Sequence, residues 1–320
     1  MEQEVTCRNW SMYNLSQTSE KLLAMRLISE CVNHLRIPYK YVGNGRPSMG
    51  LDEMMKACCI KVFNNFSTRR TITELKLANA LGYIERVPHF NSISGYMRDE
   101  EMTPWLHQLV KTLALPLNGI EQTFAVDSTG FSNFRKQHWI DFRLEKKRIR
   151  GWKKLHIVTG VLSTVIVAAE VTEGKANDMP HFRTLVREAA KEFRVLEVCA
   201  DAGYISRENC ETVADVGGTP YIMPRKGIKL YEIRRFRRGR AWVKMLKLWR
   251  DNQEVFLDHY HKRSNVESAF SSMKRKFLPY IRSHNETAQI NELLCKVACH
   301  NASVLCNAIF ELKISPDFRR

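Results

Sequence analysis

The chain has 320 residues, 44% of them hydrophobic, with 50 Lys and Arg against 34 Asp and Glu and a formal net charge of +16. That length suits two domains, or one large core with an appended module, and the excess positive charge favours a polyanionic partner, either nucleic acid or an anionic membrane surface. No uninterrupted apolar stretch reads as a bilayer span, and the opening MEQEVTCRNW lacks a basic-then-apolar leader, so the expectation is a soluble cytoplasmic protein.

Residues 1 to about 120 read as helical. Apolar positions recur at helical spacing from Ser19 to Leu35, from Leu51 to Phe63 and from Thr71 to Leu81, the last stopped by Gly82. Ser92 to Met97 and Trp105 to Leu113 follow as shorter helices. Short helices with tight links beside Arg69 and Arg70 fit a helix-turn-helix-like DNA binder, and they fit a plain bundle that supports a second domain equally well.

The texture changes after Pro116. Gln122 to Val126 is a short apolar strand that ends at Asp127. Lys154 to Leu162 and Thr164 to Val171 are two Val- and Ile-rich strands with a tight turn near Ser163. Asp178 to Phe193 reads as a helix, with Asp178 as N-cap and Pro180 in the first turn. Val195 to Ala200, Ser206 to Val213 and Tyr221 to Met223 continue as strand, helix and strand. This order predicts an α/β fold, a mixed sheet flanked by helices behind an all-helical N-terminal domain. The predicted division is a helical domain over 1–120 and a second domain over 121–320, with a basic insertion at 225–258 and a C-terminal helix at 286–312.

Residues 225 to 250 hold Arg225, Lys226, Lys229, Arg234, Arg235, Arg237, Arg238, Arg240, Lys244, Lys247 and Arg250 against the single acid Glu232. With almost nothing to offset the charge, this run reads as a DNA-backbone contact rather than a merely solvated face. Trp242 and Trp249, interleaved in it, read as packing residues. Lys146, Lys147, Arg148, Arg150 and Lys153 form a second basic cluster with the same two readings. The cysteines have no C-x-x-C pair. Cys295, Cys299 and Cys306 lie near His300, but their spacing matches no usual zinc pattern, so reduced core thiols are the expectation.

Three carboxylates stand out. Asp127 and Asp201 each close an apolar strand and are followed by small residues, in FAVDSTG and EVCADAGY. Strand ends of open sheets collect active sites, although each Asp alone also fits a turn or cap. The third lies on a predicted helix from Tyr260 to Phe277. At 100° per residue, Tyr260, Arg263, Glu267 and Lys274 fall within an arc of about 60°, beside the apolar stripe of Val266, Ala269, Phe270, Met273 and Phe277. An ordinary Arg263–Glu267 surface pair accounts for two of the four. Phosphodiester transfer on two hard divalent ions needs such a set, with carboxylate oxygens for metal and cations for phosphate.

The full pattern resembles the DDE transposases of bacterial and archaeal insertion sequences, in the broad group of families four and five. Their signature Y-x2-R-x3-E-x6-K stands complete here as Tyr260, Arg263, Glu267 and Lys274. AVDSTGF around Asp127 and ADAGY around Asp201 are similar as well. The resemblance implies a ribonuclease H-like catalytic domain, with Asp127, Asp201 and Glu267 as catalytic ligands for two Mg²⁺ ions, Mn²⁺ substituting. It implies double-stranded DNA as partner, as terminal inverted repeats and as target, with a homodimer in the synaptic complex and no membrane. The expected reaction is cleavage at element ends followed by transfer of the 3′-hydroxyl strands, in a protein associated with the nucleoid. Expected DNA contacts are Tyr260, Arg263, Lys274, Arg225, Lys226, Arg235, Arg237 and Arg238. Lys154 and His156, on one strand face by alternation, point either at phosphate or, for the histidine, into the core. The C-terminal helix reads as packing, with a dimer contact as the alternative. A metal-dependent nuclease and a DNA-binding protein without catalysis are the competing functions.

Overall fold

The computed structural model describes residues 9–39, 47–133, 151–225 and 240–318. Helices α1 (Trp10–His34), α2 (Leu51–Phe63), α3 (Thr68–Ala80), α4 (Phe90–Tyr96) and α5 (Met102–Ala114) open the chain. Helix α1 starts well before the predicted Ser19 because Asn9 caps it, its side chain accepting from the Met12 amide at 3.2 Å.

The sheet contains β1 (Thr123–Ser132), β2 (Trp152–Gly160), β3 (Ile166–Glu173), β4 (Glu197–Ala200) and β5 (Thr219–Ile222) in the order β3-β2-β1-β4-β5. The pairs β3–β2 and β2–β1 are antiparallel, and β1–β4 and β4–β5 are parallel. Strand β1 does not stop at Asp127 as predicted. It pairs with β2 as far as Ser132↔Trp152, whereas its pairing with β4 ends at Val126↔Ala200. Helix α6 (Met179–Ala190) follows β3 and α7 (Arg207–Asp215) follows the β4 loop. Asp178 precedes α6 without capping it, because its carboxylate is engaged elsewhere.

Two helices went unforeseen in the later chain: α8 (Ala241–Asp251) and the start of α9 (Gln253–His261). The basic residues of α8 mask an amphipathic pattern. Trp242, Val243, Met245 and Leu246 are buried while Lys244, Lys247 and Arg250 point to solvent. Trp249 packs edge-on against Phe256 at 5.2 Å, in keeping with the packing role expected for it. The helix predicted over Tyr260–Phe277 is two, α9 and α10 (Ser264–Phe277). At the join, bonds from Arg263 N to Tyr260 O and from Val266 N to Arg263 O run three residues back rather than four, a local 3₁₀ tightening.

Helix α11 (Glu286–Glu311) is long and apolar enough, by length and composition, to cross a membrane, contrary to the sequence expectation. It is instead the axle of the core, packed by α1, α2, α5 and β3. Its buried polar side chains satisfy loop backbone. Asn301 donates to Val110 O and Ile166 O and accepts from Ile166 N, tying α5 and β3 to the axle. Lys296 donates to Leu278 O and Tyr280 O, holding the turn where Leu278 adopts φ 70°. With so much of α11 buried, the alternative of a dimer contact has little surface left. All eight cysteines among the described residues are free and buried, and no three His, Cys, Asp or Glu side chains among those residues are arranged to hold a metal.

His300 on α11 is fully buried, its Nε2 2.9 Å from Thr164 O, and burial holds its pKa down from 6.5 to about 4. The unfolded chain therefore takes up this proton first as pH falls. The contribution is complete above pH 6.5 and is lost on descent towards 4, on the order of 3 kcal/mol in all. Denaturant titrations between pH 7 and 4 are expected to show this decline, and His300→Asn to reduce it, leaving the share of the similarly shifted His156. An unchanged slope in the variant would remove His300 as the cause.

Candidate active site

Period-two alternation sorts the side chains of β1 and β2 onto two faces. Asp127, Thr129 and Phe131 share one face with α10, and Ser128 shares the other with Lys154 and His156. The parallel ladder between β1 and β4 ends at Val126↔Ala200, so Asp127 and Asp201 are the next residues on neighbouring strands. Asp201 is extended, and its carboxylate accepts from Gly203 N at 2.8 Å, closing the tight turn that follows. A Cβ at Gly203 would sit 2.9 Å from that carboxylate, so a larger residue there would push the Asp201 side chain from its present position.

Glu267 sits in the first turn of α10, where the helix dipole favours a carboxylate, and Lys274 in its last turn. Arg263 joins helix and sheet. One guanidinium arm donates to Asp127 Oδ2 at 3.0 Å and the other to Glu267 Oε1 at 2.9 Å. Side-chain exposure falls from 63% at Glu267 to 20% at Arg263 and 19% at Asp127, so the bridge runs from the rim inward. Burial raises the Asp127 pKa, and the Asp201 and Glu267 charges add to the rise. The Ser128 amide and Arg263 oppose it. Both other acids thus act on Asp127. Burial works against the Arg263 charge, but Tyr260, Asp127 and Glu267 outweigh it and raise its pKa. Lys274 donates to Thr129 Oγ1 at 2.6 Å and lies 5.2 Å from the Phe131 ring centroid, its pKa lowered by burial. Arg263 and Lys274 therefore meet the Asp127 face of β1, and Glu267 and Tyr260 join it through Arg263.

The opposite face carries a network not foreseen from the sequence. Asp178 accepts from Lys154 Nζ at 2.7 Å and Ser128 Oγ at 3.0 Å, and lies 3.4 Å from His156 Nδ1. His156 also meets Thr172 Oγ1 at 2.8 Å and stacks on His181 at 4.6 Å. His156 is fully buried, and burial with the neighbouring His181 takes its pKa down to about 4, so it is neutral near pH 7 and has no surface to offer DNA. Lys154 is committed to Asp178. Alternation had placed Lys154 and His156 on one face, but which of the 34 acids would meet them was not legible.

The other expected cations divide. Arg225 donates to the carbonyls of Ala202 at 3.0 Å and Gly203 at 3.4 Å, bracing the turn beside Asp201. Lys153 is buried and paired with Glu173 and, at 3.1 Å, with Glu286, so it is not free for DNA. Lys146, Lys147, Arg148, Arg150, Lys226, Lys229, Arg234, Arg235, Arg237 and Arg238 lie outside the described residues.

Two comparisons bear on this geometry. The chain is similar to piggyBac transposase as seen in a cryo-EM structure of its synaptic complex with hairpin DNA, at 11% identity and a TM-score of 0.44, covering 93% of this chain and 77% of that one. That likeness is too remote to say anything of this chain's fold or activity. The family model described as "Transposase DDE domain" matches residues 118–302, a span that begins just before β1, takes in Asp127, Asp201 and Glu267, and ends within α11. More than half of the chain lies within that match, and the protein belongs to the DDE-domain transposase family.

Proposed function

We propose that the protein cleaves the ends of an insertion element and joins the freed 3′-hydroxyl strands to target DNA, with Asp127, Asp201 and Glu267 holding two Mg²⁺ ions. The observation that carries this reading is the Arg263 bridge. It draws Glu267 to Asp127, while the Asp201 charge acts on Asp127 from the adjoining strand. The sheet order, three antiparallel strands followed by two parallel, supports a ribonuclease H-like catalytic domain, and the helices before residue 120 are then its accessory part.

The donor set suits the metal in kind, although the three carboxylates are not gathered as a ligand group here, where Arg263 stands between two of them, so binding would have to draw them together. All three groups are hard carboxylate oxygens, and one guanidinium cannot balance three negative charges. When bound, the divalent ions would activate the attacking water or 3′-hydroxyl and stabilise the leaving oxygen. The remaining work falls to the chain. Asp201 is held by the Gly203 amide and Asp127 by the Ser128 amide, so two ligands are oriented beforehand. Arg263 serves as counter-charge to the carboxylates and, when they are neutralised, can turn its planar fork to a phosphate. Lys274 and Tyr260 flank it for the same purpose. Exposed Lys244 and Lys247 on α8 supply backbone contacts that release counterions, while Arg250 is paired with Asp251. Synapsis of two ends calls for a homodimer, acting on DNA at the nucleoid.

The test uses purified protein, labelled terminal-repeat duplex taken from the flanks of the gene, a target plasmid and Mg²⁺ or Mn²⁺. Joined products are expected. Cleavage without joining would make the protein a nuclease, and binding alone a DNA-binding protein. Asp127→Ala, Asp201→Ala and Glu267→Ala are each expected to abolish cleavage and joining while leaving DNA binding largely intact. Near-normal cleavage by any one strikes that residue from the ligand set.

Arg263→Ala is expected to reduce joining by roughly 10²-fold, the scale for losing a positioned charge donor. It also removes a competitor for the carboxylates. The Mg²⁺-induced rise in Tm should therefore be larger in the variant than in the parent. Equal rises in the two proteins would show that Arg263 and metal do not share the acids.

A further inference from the structure

We infer that a cationic cleft on the helical side of the molecule, between α2, the α3–α4 pair and the loop joining α10 to α11, grips backbone phosphates of the DNA being processed. This rests on the transposase reading above. The cleft, of about 240 Å³, is lined by Lys61, Arg98, Arg282 and His284, with the hydroxyls of Thr68 and Ser94 among its walls and no carboxylate side chain. Among the described residues none of these four basic groups forms an ion pair with an acid, whereas Lys153, Lys154, Arg263 and Lys276 all do. Four basic side chains thus surround one depression whose lining contains no acid. Arg282 is aimed rather than loose, since one guanidinium arm is fixed to Asn65 O at 2.5 Å.

The helix ends beside the cleft do not account for it. Ser67 and Asn285 already accept from Arg70 N and Ala288 N, so the α3 and α11 termini are capped by their own side chains. Attraction for an anion comes from the basic side chains. Size narrows the ligand. Pockets that enclose a drug-sized molecule run from about 300 to 1,000 Å³, so this cleft suits a phosphate group rather than a whole metabolite.

Location makes that phosphate part of DNA. The loop that supplies Arg282 and His284 is fastened to the end of β1, where Ile281 N donates to Ser132 O at 2.8 Å and Tyr280 bridges to Ser132. Glu292 fixes the same loop from α11, accepting from Arg282 N and Ser283 N. Asp127 and Ser132 are five steps apart on one strand, about 17 Å at ~3.3 Å per residue. At ~3.4 Å per nucleotide along one DNA strand, roughly five nucleotides would span from Asp127 to the strand end on which the Arg282 loop is fastened. A rigid strand thus sets the separation between chemistry and grip.

The experiment measures binding of full-length protein to terminal-repeat duplex by fluorescence anisotropy across a salt series, for Arg98→Ala, Lys61→Ala and their combination. Lys191→Ala, which removes an exposed charge at the C-cap of α6 outside the cleft, controls for net charge. Arg98 is exposed, so its replacement leaves packing intact even if Lys61→Ala folds poorly. Each cleft substitution is expected to lower the slope of log K against log salt by about 0.9 and to weaken binding about eightfold near 0.1 M salt, with the control unchanged. Variants that keep the parental slope and affinity, while the parent still cleaves and joins DNA, overturn the cleft and spare the transposase reading. A parent that binds no duplex overturns both. Calorimetry with inorganic phosphate is the second arm. Phosphate binding lost in the variants with duplex binding untouched would assign the cleft to free phosphate and overturn the DNA assignment.

Discussion

The molecule is organised around β1, the central strand, whose two neighbours run in opposite senses. Its antiparallel pairing with β2 continues to Ser132, while its parallel pairing with β4 stops at Val126↔Ala200. Where β4 leaves the ladder, Asp201 turns away under the hold of Gly203, and Asp127 stays on a strand still fixed by β2. One register therefore sets two carboxylates side by side without either needing a long flexible arm. A slip of one residue would send Asp127 to the other face, towards Lys154 and His156.

Charge balance explains how Glu267 joins them. Helix α10 buries Val266, Phe270, Met273 and Phe277, which fixes its height over the sheet and turns its polar edge towards Asp127. Arg263 fastens that edge, because its two arms fit two carboxylates at once, a geometry lysine could not reproduce. The 3₁₀ turn between α9 and α10 keeps Tyr260 close to the same guanidinium although the helix is broken there. On the reverse side of β1, the Asp178 network holds Ser128, whose amide in turn holds Asp127. The acid is thereby braced through its own peptide link by residues on the opposite face.

The N-terminal helices and the sheet share a core through α11. Polar groups on that helix are buried because loops lacking secondary-structure partners need donors and acceptors. Asn291 serves Met97 O and Asp99 O, Asn301 serves β3 and α5, and Glu292 with Lys296 serves the loop that follows α10. The same loop that α11 holds also ends β1 and lines the cationic cleft, so the strand that carries Asp127, the core axle and the basic surface are mechanically continuous.

The sequence by itself determined the five strands and most of the helices, and it singled out the three acids and the Tyr260–Lys274 quartet as candidates. These follow from local periodicity and from residue types whose chemistry is distinctive wherever they stand. It overextended Tyr260–Phe277 into one helix, because the break uses αR backbone and leaves no Gly or Pro mark. It passed over α8, whose apolar stripe was hidden among basic residues. Only the tertiary structure decided which cations are spent on internal partners, as Lys153, Lys154 and Arg225 are, and which remain open. Only the tertiary structure brought Asp178 to Ser128 and the Arg282 loop to Lys61. Those pairings join residues far apart in the chain, and long-range proximity is set by the packing of whole elements, which no local pattern encodes.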